Sequence, residues 1–183
     1  MKVIDSNIHL PKVPNDEHEL DFNTFDILNS IKSLDIHLKK NNVKGGCVSI
    51  LDTNFIKGEN KNILELLKTR GFKAVTMIDP SDKNWKNNVL RAKELGFIGI
   101  KFHSYIQRID SSFDKRIMDI CKFASDLGLL ITICCSYGTK DLYKFNGVSI
   151  ISELLNEIST PILALHAGGK KILDLMLIAE QSS

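Results

Sequence analysis

The chain has no apolar run approaching the roughly 18 residues a membrane span needs. It has no basic block longer than Lys39-Lys40. Lysines are interspersed with Asp and Glu, and the formal net charge is only +2. Without a basic patch, neither nucleic acid nor an anionic membrane is expected as a partner. The first residues, Met1-Lys2-Val3-Ile4-Asp5, lack the apolar core of a signal peptide and predict a strand from the start. No GxGxxG and no P-loop is present, which argues against nucleotide binding. Cysteine is sparse: Cys47, Cys121, Cys134 and Cys135, with neither CxxC spacing nor a disulfide framework. That usage fits a reducing cytoplasm. No linker or low-complexity tract divides the chain, so residues 1–183 are expected to form a single domain.

What is present is an ordinary globular composition, 43% apolar and 25% charged, over 183 residues. Apolar runs of strand type alternate with stretches of helical period. The strands are predicted at Lys2–Leu10, Val43–Leu51, Phe72–Ile78, Gly96–Ser104, Leu129–Ser136 and Pro161–Ala167. Helices are predicted at Phe25–Lys40, Asn60–Thr69, from Ser81 or Asp82 to Leu95, and at Phe113–Leu127, Ser149–Ile158 and Lys170 to about Glu180. Gly45 and Gly46 inside the second strand point to close backbone approach. Six βα units of roughly thirty residues predict an α/β fold, either an open doubly wound sheet or a (β/α)-barrel. A full barrel of eight units typically takes about 250 residues, so about six of the eight are present.

In parallel α/β folds the chemistry gathers at the C-terminal ends of the strands. Gly99-Ile100-Lys101-Phe102-His103 is the most informative stretch. Its apolar character predicts a central strand buried on both faces, with Lys101 and His103 on one side by parity. A buried lysine and imidazole require partners or a cavity. An ion pair of Lys101 with Asp5 or Asp79 is one solution. Asn7 and His9 share a face at the end of strand one, Cys134 closes strand five, and His166 closes strand six before Gly168-Gly169. Cys135, of opposite parity, should face the helices, and Cys47 and Cys121 are expected in the core. Imidazoles from separate strand ends suit a divalent metal with one position left for water. Gly168 and Gly169 could offer backbone N–H groups to an anion.

These segments resemble the amidohydrolase superfamily. Asp5-Ser6-Asn7-Ile8-His9 is similar to its D-x-H-x-H strand, and Gly99–His103 with Gln107 to the G-[IVF]-K-[LF]-H-P-x-x-Q segment of its amidohydrolase-2 branch. Gly128–Cys134 resembles the G-L-P-[VI]-x-[IV]-H strand, and Leu163–Gly169 the H-x-G-G turn. The resemblance implies a (β/α)-barrel of the metal-dependent hydrolase type. It implies a divalent metal, zinc first, held by His9 and His166 with Asn7 and Cys134 where the family has histidines. Lys101 and His103 would act on the substrate, with Gln107, Gly168 and Gly169 lining its site. Water activated by the metal would attack a small, acidic carbonyl compound, or the metal would support decarboxylation. Asn7, Cys134 and the absence of a seventh and an eighth strand motivate the alternative, a degenerate or truncated barrel that binds a small ligand or a partner chain without catalysis. The open sheet edges of a six-unit barrel predict a homo-oligomer.

Overall fold

A computed structural model describes residues 3–10, 31, 32, 36, 40, 43–58, 61–135 and 146–181 of the chain. The strands are β1 Val3–Leu10, β2 Val43–Ile50, β3 Phe72–Met77, β4 Gly99–Phe102, β5 Leu130–Cys134 and β6 Ile162–Leu165. The α-helices are α1 Lys61–Thr69, α2 Trp85–Leu95, α3 Ser104–Gln107, α4 Asp114–Asp126, α5 Gly147–Leu154 and α6 Ile172–Gln181. Of the helix predicted at Phe25–Lys40, residues Ile31, Lys32, Ile36 and Lys40 are helical. The rest of it, with most of the loop predicted over Tyr137–Gly147, lies outside the described residues.

Helix boundaries differ from the sequence expectation for local reasons. The carboxylates of Asp79, just past β3, and of Asp82 accept the N–H groups of Ser81 and Asn84, each at 2.8 Å, so two polar turns precede α2, which starts only at Trp85. Asp110 likewise accepts from Ser112 N–H at 2.9 Å and caps a 3-10 turn, Ser111–Phe113, ahead of α4. Asn146 accepts from Ser149 N–H at 3.2 Å and starts α5 early. The close approach predicted around Gly45 is real: a Cβ there would lie 2.5 Å from the Gly71 carbonyl oxygen.

All six strands are parallel, and their spatial order is their chain order. Each crossover therefore moves one strand in the same direction. Because such crossovers are right-handed, the helices that connect successive strands fall on the same face of the sheet. That face carries Val48, Ile50, Ala74, Ile100, Phe102, Ile131 and Ile133, packed with Ile63, Val89, Ala92, Ile117, Ile120 and Leu154 into one core.

The opposite face is concave. Lys101 on β4 hydrogen-bonds to Ser49 on β2 and to Asn7 and His9 on β1. In a flat sheet β4 and β1 would lie about 14 Å apart with side chains standing perpendicular to it. A single ammonium can touch both β2 and β1 only if the sheet curls around it. The architecture is thus an α/β half-barrel: six consecutive units, helices outside, and a polar group at the focus of the inner face.

Candidate functional site

The inner face follows from strand parity. Lys101 pairs in register with Met77 on one side and Thr132 on the other, and His9 pairs with Ser49. Lys101 is wholly buried. Its Nζ donates to Asn7 Oδ1 at 3.1 Å and to Ser49 Oγ at 3.0 Å, and lies 3.1 Å from His9 Nε2. An ammonium has three protons and no acceptor, so this tripod uses all of them. His9 Nε2 must then accept, which places the His9 proton on Nδ1.

No carboxylate among the described residues compensates this charge. Burial is the main influence on Lys101 and pulls its pKa down to about 8; the nearby thiols of Cys134 and Cys47 act weakly in the opposite sense. The ion pair that sequence allowed with Asp79 does not form. Asp79 Oδ1 is engaged by Ser81, whose hydroxyl donates at 2.7 Å. The side chain of Asp5 lies outside the described residues.

His103 follows β4 and is buried, 8% exposed. Burial first, then the positive fields of Lys101, His9 and His166, push its pKa down to about 3. It is a neutral imidazole at any physiological pH. Its ring meets His9 edge-on, with centroids 6.1 Å apart. Its Nδ1 accepts from the Ile106 N–H at 3.4 Å, which places the ring proton on Nε2. His166 stands exposed at the end of β6 with φ 60, at the head of a left-handed run through Ala167, Gly168 and Gly169. Its field reaches His103, as does that of His9, so imidazoles from two other strand ends act on that ring.

The remaining expected site residues take different places. Gln107 is engaged by backbone: its Oε1 accepts from His103 N–H at 2.7 Å and its Nε2 donates to Ile78 O at 2.8 Å. It staples the β4 end to the β3 end, and it also lines a cavity of about 320 Å³ with Asp52, Met77 and Asp79. Gly168 packs on α6, where a Cβ would come 3.0 Å from Leu175 Cβ. Cys134 is wholly buried near Lys101, whereas Cys135 faces the helices, its thiol pushed up to about 12 chiefly by burial. Cys121 is core. Cys47 is not: it is half-buried and feels Lys101, although burial still raises its pKa overall. Ser49 was missed in sequence. Its parity with Cys47 and Leu51 on strand two was the available signal.

The donor set does not fit a divalent metal in this arrangement. Two of the four expected ligands, Asn7 Oδ1 and His9 Nε2, direct their lone pairs at the Lys101 ammonium. An ion bound to them would sit against a buried positive charge, which is strongly repulsive in a low-dielectric interior. Among the described residues, no group of three or more His, Cys, Asp and Glu side chains is placed to hold an ion.

No family model and no curated protein matches the sequence. Among solved structures, one similar chain is a probable 2-pyrone-4,6-dicarboxylic acid hydrolase from Acinetobacter baumannii, crystallised with citric acid bound. It aligns with a TM-score of 0.49 and 14% identity, over 98% of this chain and 66% of that one. This chain therefore spans slightly less than two thirds of that hydrolase.

Proposed function

We propose that this half-barrel carries a hydrolase-like site for a small carbonyl compound bearing a carboxylate, and that the fixed positive charge of the site is Lys101 itself. The observation that carries this reading is the Lys101 tripod: a wholly buried ammonium held by three neutral acceptors, with no carboxylate partner among the described residues. Such a cation is costly to bury, and an anionic ligand at the strand ends offsets that cost.

The roles follow from protonation. Lys101 draws a substrate carboxylate to the mouth. His103, neutral and protonated on Nε2, donates to the carbonyl oxygen as charge develops there; a neutral imidazole of low pKa suits that electrophilic role. His9 holds the Lys101 ammonium through Nε2, and His166, exposed at the end of β6, is the imidazole that takes the proton of the attacking water. The amidohydrolase-like motifs support the same class of chemistry. The metal they imply is replaced in this reading by the lysine.

The test is hydrolysis of a panel of small esters and lactones that carry a carboxylate, with and without chelator. Chelator should leave turnover unchanged, and Lys101→Met or His9→Ala should lower kcat/KM by about a hundredfold or more. Turnover that vanishes with chelator and returns with zinc would restore the metal reading. Carboxylate binding without turnover on any member would favour the non-catalytic alternative. Self-association, expected because β1 and β6 each have one neighbour among the described strands, is read separately by sedimentation.

A further inference from the structure

Five buried polar side-chain atoms among the described residues make no hydrogen bond, and three of these residues lie in or beside the sheet: Thr76, Ser104 and Thr132. They are not equivalent. Thr76 is in register with Ile100, on the helix-facing side. Ser104 opens the short helix α3. Thr132 alone is in register with Lys101, on the inner face, and is only 2% exposed. A buried hydroxyl without a partner costs free energy, and it stands on the strand adjoining a cation that has no carboxylate partner among the described residues.

We propose that Thr132 Oγ1 is the second anchor of the carboxylate, donating to one of its oxygens while Lys101 supplies the charge. The orphan hydroxyl and the ammonium, which no carboxylate among the described residues offsets, are two halves of one anion receptor, contributed by neighbouring strands. This rests on the reading of Lys101 given above. It adds a specificity determinant: ligands with a carboxylate are favoured over their neutral amides through a hydroxyl as well as a charge.

The probe is malonate, measured by calorimetry against the full chain, alongside thermal unfolding of the unliganded protein. Thr132→Val should weaken malonate about tenfold or more, because a hydrogen bond to a charged group is lost. It should also raise the melting temperature of the unliganded protein by about 2–4 °C, because a buried unpaired hydroxyl is removed. Thr132→Ser, which keeps the hydroxyl, should retain most of the affinity. A lower melting temperature in Thr132→Val would mean the hydroxyl serves the fold and would overturn the proposal. So would wild-type affinity in Thr132→Val when Lys101→Met has lost malonate; that result leaves the Lys101 reading standing. A Lys101→Met protein that binds malonate as wild type does would end both.

Discussion

β4 and β6 are both four-residue, apolar strands that end in a histidine region, yet they live in different physical environments. β4 is buried at every position, with β3 and β5 on its flanks. β6 has β5 as its only neighbour among the described strands and is mostly half-buried. The helix after it, α6, has no buried residue, and Ile172, Leu173, Met176 and Leu177 are exposed. The consequence is chemical. At β4 the surroundings are dry enough to shift Lys101 to about 8 and His103 to about 3. At β6, His166 stands in solvent. Position in the sheet, not composition of the strand, decides which polar residue is buried.

The sharpest way to test this contrast is pH. His103 has a folded pKa below its unfolded value, so the unfolded chain binds the extra proton between about pH 6.5 and 3 and stability falls on acidification through that window. The loss should be on the order of 4 kcal/mol, and His103→Gln should flatten it in urea titrations run at several pH values. Lys101 has the same sign at the alkaline end: its folded pKa is depressed, so its burial cost is relieved and stability rises from about pH 8 toward 10.5. A Lys101→Met protein that keeps that alkaline rise would break the assignment.

Packing offers the next comparison. A Cβ on Gly99 would collide with the Leu130 carbonyl oxygen, so Gly99→Ala should cost about 3 kcal/mol in denaturant unfolding. Leu163→Ala, on half-buried β6, should cost only about 1 kcal/mol. Equal losses would erase the distinction between the two strands. The smallest effect belongs to α6: Leu173→Lys should change the stability of the isolated chain by no more than about 0.5 kcal/mol, because that side chain is 72% exposed.

Much of this site was legible in the linear chain. Parity alone placed Lys101 with His103, Asn7 with His9, and Cys135 on the helix side. Strand-end position singled out His166. What escaped was the company these residues keep. Ser49 and Thr132 are unremarkable hydroxyls on apolar strands, and nothing local marks them as neighbours of a cation. Gln107, by contrast, fits a motif, yet its amide is engaged by the backbone of the β3 and β4 ends.

The residue order by itself determined the alternation of strand and helix and which side chains share a strand face, because these depend on periods of two and 3.6 residues within short segments. Only the tertiary structure decided that a lysine on β4 meets groups on β1 and β2. Those contacts span 52 to 94 positions of chain and exist because the sheet curls. Curvature is set by the packing of all the helices on one face, a collective property that no single segment encodes.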